Sequence, residues 1–310
     1  MPRTYFGPHG ENNSTYAHGG NANLGRWPLG HILVLPDYRE YRFALNDGTA
    51  EVAGNLYQSV APVANHTDVT ADVVRAIAAK VISATLGATA AAVDIYAEGI
   101  VHTSNDTGES YAYRIKRAMT AGAAHASAAT SSVLTVNLET GETVQVALDT
   151  TSEVTFTRNR FHQVLITAAP PTAGLAGVSP GVAAADRFYW SQVKGYAAVL
   201  ASGTLLAGLP VQAGISTAGS VESAKRRART GGTTIGGMVP TTYVMAALLD
   251  QDGVTTLFWV PVTVSTSAGI TATYDISGPI AINAPVVGMC VKANSTTQYA
   301  LVDLNILGSG

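Results

Sequence analysis

The sequence predicts a mainly β protein: sandwich or barrel domains of short antiparallel strands, an extended N-terminal arm and at most one or two helices. Three observations predict this. Short runs alternate apolar with polar residues, turn residues separate them at intervals of about ten positions, and prolines fall where strands start, bulge or run along an edge. The 310 residues allow two domains or one large all-β domain with extensions.

Residues 1–30 are rich in Gly and Asn, carry the aromatics Tyr5, Phe6, Tyr16 and Trp27, and show neither helical nor strand periodicity. They are expected to form an extended arm that becomes ordered by lying on another surface, with those four aromatics as contacts. Residues 31–167 are expected to form a β-rich domain. His31 to Leu35 is a short apolar run closed by Pro36. Residues 39–45 lead into Asn46-Asp47-Gly48, a turn whose Asp-Gly tolerates positive φ, so residues 49–60 are read as the return strand of a hairpin. Residues 70–86 (TADVVRAIAAKVISATL) place Val73, Val74, Ile77 and Val81 at helical spacing behind Thr70 or Asp72 as N-cap, which predicts a helix. The Val, Ile and Thr near its end also suit a strand. Further strands are expected at 111–117, 133–138, 143–148 and 153–158.

The Pro-, Gly- and Ala-rich residues 168–185 read as a connector to a second β-rich region, 186–310. Its strands are expected at 187–193, 197–200, 204–206, 257–260, 262–264, 270–274, 286–291 and 299–306, with a turn at Ala201-Ser202-Gly203 and a Gly/Arg-rich loop over 219–240. Alternation puts Phe188 and Trp190 on one face, in the core.

Only 13% of residues are charged, the net charge is −3, and 47% are hydrophobic. Roughly 25% charged is usual for soluble domains. This balance excludes a disordered chain and a nucleic-acid binder that relies on overall positive charge. It suits a protein with a large neutral surface, partly covered by neighbours. Cys290 is the single cysteine, so neither an intrachain disulfide nor a cysteine-based zinc site is available. The polar start of the chain lacks the apolar core of a signal peptide, and secretory export is not expected. Two uncharged runs, 161–185 and 195–221, are interrupted by Pro and Gly, so no membrane span is expected.

Catalytic patterns are missing: no His-Glu-x-x-His, Gly-x-Ser-x-Gly, phosphate-loop or dinucleotide motif is present. No two of the seven histidines lie three or four residues apart. Asp250 and Asp252 open a segment like a calcium loop, but Pro261 stands where such a loop needs a bidentate Glu, so a β-turn is expected. The Gly-rich residues 231–237 lack the Lys-Ser/Thr of a phosphate loop. No enzyme, cofactor or metal is expected. One charge cluster stands out: Lys225, Arg226, Arg227 and Arg229, in a stretch with no acid between Glu222 and Asp250. It is read as a contact for an acidic partner surface, since guanidinium forks pair bidentately with carboxylates. Tyr189 and Tyr196 are candidate sugar-stacking residues.

Residues 51–60 (EVAGNLYQSV), 111–115 (YAYRI), 146–148 with 152–156, 187–206, 287–289 and 299–304 together resemble virion proteins of tailed bacteriophages, of the capsid decoration or cement type. The resemblance implies binding to the outside of a capsid lattice made of a major capsid protein, location on the virion surface and no catalysis; self-association by closed symmetry, as a dimer or trimer, would suit quasi-symmetric positions on a shell. Residues 215–285, the basic cluster included, lie outside it. Two alternatives are a capsid shell subunit, with 70–86 as a long helix, and a carbohydrate- or receptor-binding module of a phage tail.

Overall fold

In the computed structural model the described residues are 4–17, 27–117, 124–224, 243–249, 256–263, 285–293 and 298–306. They are mainly β: the described helical segments are two 3-10 turns, Glu11–Asn13 and Ala64–His66. The chain divides into two units, Met1–Ala224 with Asn283–Gly310, and Lys225–Ile282.

In chain order the first half of the large unit supplies β1 (Thr4–Phe6), β2 (Tyr16–Ala17), β3 (Ile32–Val34), β4 (Glu40–Leu45), β5 (Leu56–Gln58), β6 (Val69–Thr70), β7 (Val81–Thr85), β8 (Ile100–Asn105), β9 (Ala112–Arg114), β10 (Val133–Asn137) and β11 (Glu153–Thr157). There follow β12 (Leu165–Ile166), β13 (Leu175–Val178), β14 (Arg187–Leu200), β15 (Pro210–Ala213) and β16 (Val221–Ser223). The small unit supplies β17 (Tyr243–Leu249) and β18 (Thr256–Thr263), and the chain returns to the large unit with β19 (Val286–Lys292) and β20 (Tyr299–Asn305).

A twelve-stranded sheet dominates, in the order β1-β3-β4-β14-β20-β19-β15-β16, with β2, β5, β12 and β13 joined to it off that path. Strand β14 organises it. Its first half pairs with β4, from Phe188 opposite Leu45 to Lys194 opposite Glu40. Its second half pairs with β20, from Lys194 opposite Asn305 to Leu200 opposite Tyr299. Residues 188–193 are all buried, Tyr189 as well as Phe188 and Trp190, because both faces of the sheet are covered there. Past Gly195 the pattern changes to strict alternation, Tyr196 and Ala198 out, Ala197 and Val199 in, as a strand with one wet face requires.

Three cores follow. One is aromatic, with Phe43 stacked on Phe188 at 5.2 Å and 5.0 Å from Trp190. One is aliphatic, under the second half of β14, with Val199, Val211, Val302 and Leu304. The third belongs to an insertion between β5 and β12, which pair with each other, so the chain leaves and re-enters at neighbouring strands. The insertion holds the sheet β6-β11-β8-β9 and the pair β7-β10 around Ile82, Tyr96, Val101, Ile115, Leu134 and Phe156.

The helix expected over 70–86 is absent. Residues 81–85 form β7, antiparallel to β10, and Ala78 has φ 68°, which interrupts any helix through it. The apolar residues that suggested a helical stripe are turned out, with Val74 60% and Ile77 66% exposed. The β-branched Val81, Ile82 and Thr85 and the cross-strand partners on β10 outweigh local helical spacing. The hairpin at Asn46-Asp47-Gly48 is also absent, because β4 is already sandwiched between β3 and β14. Asn46 is buried instead: its Nδ2 donates to the Ala184 carbonyl (2.6 Å), and its Oδ1 accepts from the Arg187 N–H (2.6 Å). Of residues 49–60 only 56–58 are strand, paired with β12 and β13. Residues 168–185 are no simple connector, since β13 lies within them, fully buried between β5 and β14. The expected strand at 143–148 is irregular chain that plants Val144 and Leu148 in the insertion's core.

In the small unit β17 and β18 form an antiparallel hairpin, from Tyr243 opposite Thr263 to Leu249 opposite Thr256, with an irregularity between Leu248 and Leu249. Pro261 sits inside β18 opposite Met245, so the two strands expected on either side of it are one. The expected strand 270–274 and Gly-rich stretch 231–237 lie outside the described residues.

Candidate functional site

The alternation in the second half of β14 leaves the outer face of β14, β20, β19 and β15 open. Register fixes its rows. Tyr196 stands opposite Asp303, Asp303 opposite Met289, and Met289 opposite Pro210. In the next row Ala198 stands opposite Leu301 and Leu301 opposite Lys292. Tyr196, Met289 and Tyr299 are each about half exposed (58%, 47% and 51%), and Leu209 and Val291 add further exposed apolar surface. The inward residues of the same strands, Ala197, Val199, Ala300 and Val302, are buried in the aliphatic core. One face thus anchors the sheet, and the other presents a largely apolar surface to solvent, with Asp303 and Lys292 as charges in its rows.

Backbone geometry holds this surface in shape. Gly54 has φ +78° and packs beside Tyr299; a Cβ there would lie 2.4 Å from the ring. Its N–H donates to the Ser179 carbonyl (2.7 Å), and its carbonyl accepts from the Leu200 N–H (2.8 Å). Two open grooves flank Tyr196. One, of about 630 Å³, is lined by Asn13, Gly54, Ser179, Gln192 and Tyr299; the other, of about 760 Å³, by Asp37, Tyr38, Arg39, Asp303 and Asn305. Of the charges beside them, Asp37 pairs with Arg39 at 2.7 Å and Lys194 with Glu40 at 3.2 Å, while Asp303 forms no ion pair within 4.0 Å among the described residues. Exposed pairs of this kind add little stability but cancel local charge.

The N-terminal segment, expected to reach across another surface, supplies strands to its own sheet. β1 pairs parallel with β3, and β2 pairs with β14. Trp27 lies 5.4 Å from Tyr16, 5.7 Å from Tyr5 and 5.1 Å from Trp190, so three of the four proposed contact aromatics pack on the chain's own aromatic core. Phe6 points outward, 76% exposed. Tyr189 is buried and unavailable for sugar stacking, whereas Tyr196 is accessible. Lys225, Arg226, Arg227 and Arg229, and likewise Asp250 and Asp252, lie outside the described residues. Sequence reasoning did not single out Tyr38, Met289 or Tyr299; the period of two in 299–305 was the available signal for Tyr299.

Several buried titratable groups are engaged within the chain. Glu98 is buried, receives the Leu29 N–H and pairs with Arg117 at 2.9 Å; burial still raises its pKa, against the pull of Arg117. His125 accepts the Tyr96 N–H on Nε2 (2.9 Å) and faces the Ala126 carbonyl with Nδ1 (2.9 Å), an arrangement that needs the neutral ring; burial lowers its pKa accordingly. Tyr96 in turn bonds His66, whose Nε2 faces the Thr89 carbonyl at 2.8 Å. Cys290 is buried, and burial raises its thiol pKa, which leaves little thiolate. Among the described residues no three His, Cys, Asp or Glu converge as a metal site, and no helix is long and apolar enough to cross a membrane.

No family model, curated protein or solved structure matches the chain.

Proposed function

We propose that the chain is a structural protein of a tailed-phage virion, a capsid decoration protein. It sits on the outside of the shell and binds the major capsid protein through the open face of β14, β20, β19 and β15. The observation that carries this reading is that face: a regular, largely apolar surface bearing Tyr196, Met289, Leu301 and Tyr299, with Asp303 and Lys292 among them, on a sheet whose other side is fully packed. Association through such a surface limits the burial of unpaired charge, which costs several kcal/mol per group.

The size of the face bears on assembly. Seven residues of β14 span about 23 Å, and four strands are about 19 Å wide, giving a projected area of about 440 Å². A stable interface needs about 800 Å² per partner. One copy on one shell subunit is therefore weakly held, and self-association into a dimer or trimer, which multiplies the contacts, fits the reading.

Co-sedimentation of the purified chain with assembled shells tests it. Tyr196→Asp and Met289→Asp, which introduce charge on the face without touching a core, should each weaken binding at least about tenfold, the effect of about 1.4 kcal/mol. Undiminished binding removes the face from the interaction, and assembly of the chain into shells on its own identifies a shell subunit instead.

A second reading, a carbohydrate-binding module of a tail, is favoured by one observation: exposed Tyr38 and Tyr196 line one open groove together with the hydrogen-bonding side chains of Asp37, Arg39, Asp303 and Asn305. Glycan binding lost on Tyr196→Ala and no affinity for shells is the result that selects it.

A further inference from the structure

Cations are scarce in this chain, and four of the eight arginines among the described residues sit beside a carboxylate. Arg39 has Asp37, Arg75 has Asp72, Arg114 has Glu139 and Arg117 has Glu98, each within 4.0 Å. Arg42, Arg158, Arg160 and Arg187 have no such pair among the described residues, and of these Arg158 and Arg160 come together at one cavity. Each has only neutral hydrogen-bond partners: Arg158 Nη1 donates to Gln163 Oε1 (2.8 Å), and Arg160 Nε donates to the Leu175 carbonyl (2.8 Å). The Arg158 Nε is buried with no acceptor. Burial lowers the pKa of both guanidiniums, and the nearby Arg42 adds repulsion at Arg160.

Both arginines line one pocket of about 260 Å³, together with Ser59, Tyr96, Thr157 and Asn159, and its thirteen lining residues include no Asp or Glu. Glu98, whose carbonyl accepts from Asn159 Nδ2, directs its carboxylate to Arg117 and away from this pocket. Arg158 is half-buried and Arg160 exposed, so solvent screens part of their charge, and two guanidiniums without counter-charge at one cavity make it a favourable place for an anion. Guanidinium forks match the paired oxygens of phosphate, sulfate and carboxylate. The volume exceeds the roughly 30 Å³ of one water several-fold, enough for such a group with its remaining hydration.

We propose that this pocket is an oxyanion-binding site in which Arg158 and Arg160 grip a phosphate, sulfate or carboxylate group. The inference does not depend on the decoration reading. The group is either a free inorganic anion or an acidic side chain of a bound protein, and the two sources share the same recognition chemistry.

The test is thermal unfolding of the full chain, with sodium phosphate, sodium sulfate and disodium succinate each titrated against sodium chloride at matched ionic strength. Wild type should show a saturable rise in Tm with at least one oxyanion. Arg158→Gln should raise the half-saturating concentration at least about tenfold, as loss of a charge-assisted bidentate contact does. Gly174→Asp supplies an independent readout. A Cβ at residue 174 lies 3.5 Å from Arg160 Nε, so the new carboxylate fills the site itself. That variant should have a higher Tm in chloride alone and no response to oxyanions. Saturation by phosphate or sulfate at lower concentration than by succinate marks a free tetrahedral anion, and the reverse marks a carboxylate-bearing partner. A Tm that climbs without saturating, or climbs equally in all three proteins, overturns the proposal. If Arg158→Gln fails to fold, Gly174→Asp decides alone: a lower Tm in chloride with an unchanged oxyanion response refutes the site.

Discussion

Glu51 makes the stability of the protein depend on pH in a direction opposite to most carboxylates. It is 1% exposed, its N–H donates to the Ala183 carbonyl at 2.7 Å, and its carboxyl lies among Tyr189, Tyr57 and Ser179. Burial pushes its pKa from 4.5 up to about 8; the Tyr189 and Ser179 hydroxyls pull it down by less, and Asp47 adds repulsion. The folded protein thus holds the proton more tightly than the unfolded chain. Stability from this group is complete below pH 4.5 and is lost as pH rises through 8. Each pH unit between the two values removes about 1.4 kcal/mol, so about 3 kcal/mol is gone by pH 7. Glu51→Gln keeps the shape and a hydrogen-bonding head but cannot ionise. Urea unfolding at pH 5 and pH 8 should give nearly equal stabilities for variant and wild type at the lower pH, and a variant more stable by about 3–5 kcal/mol at the higher. Parallel pH profiles for the two proteins would refute a buried, protonated Glu51.

Three further outcomes are expected. Gly288→Ala on β19 would put a Cβ 2.0 Å from the Asp303 carbonyl oxygen, so it should separate β19 from β20 and lower stability by about 3 kcal/mol in urea unfolding. His125 has a pKa lowered by burial, so its contribution is present above the unfolded value of 6.5 and lost as pH falls below it; His125→Leu should lower stability by about 2 kcal/mol at pH 7.5, leaving the Tyr96 N–H without an acceptor, and flatten the acid limb of the stability profile. Arg117→Met strands Glu98 as a buried charge and should lower Tm by an amount equivalent to about 3–5 kcal/mol, and adding Glu98→Gln should recover most of that loss.

The strand content was legible because alternation survives wherever one face of a strand is wet. Residues 133–137 and 299–305 alternate, and both are strands. Where both faces are covered, alternation carries no information, and Tyr189 illustrates this: its neighbours Phe188 and Trp190 were rightly placed in the core, but Tyr189 is as buried as they are. Long-range pairing was illegible for a different reason. Asn46-Asp47-Gly48 has good turn chemistry, yet β4 is claimed by β14 some 145 residues away, and no local signal reports that partner. The segment 70–86 shows the same override, since its apolar spacing fits a helix while β10 supplies a better partner as strand. Of the open face only Tyr196 stood out beforehand, because the surface exists only once 196–200, 299–305, 286–292 and 210–213 are laid side by side. The pair Arg158 and Arg160 is visible in the sequence, but the absence of a carboxylate near them is a property of the fold.

The low charge of the chain acquires a more specific meaning from where the charges lie. Ionisable groups are handled in three ways here. Glu98 is paired with Arg117, Glu51 is kept protonated by its surroundings, and Arg158 and Arg160 are left with neutral partners around a cavity. The first two satisfy themselves within the chain, and the third does not. The open sheet face, by contrast, is largely apolar, with Asp303 and Lys292 in its rows, and the charges at its border pair as Asp37 with Arg39 and Glu40 with Lys194, so association through it draws mainly on apolar area and shape and responds weakly to salt. An anion held between two guanidiniums responds to competing ions. The two surfaces therefore differ in their physical dependence as well as in their place in the fold, and a partner that engaged both would be held by two separable contributions, one from desolvated apolar area and one from charge.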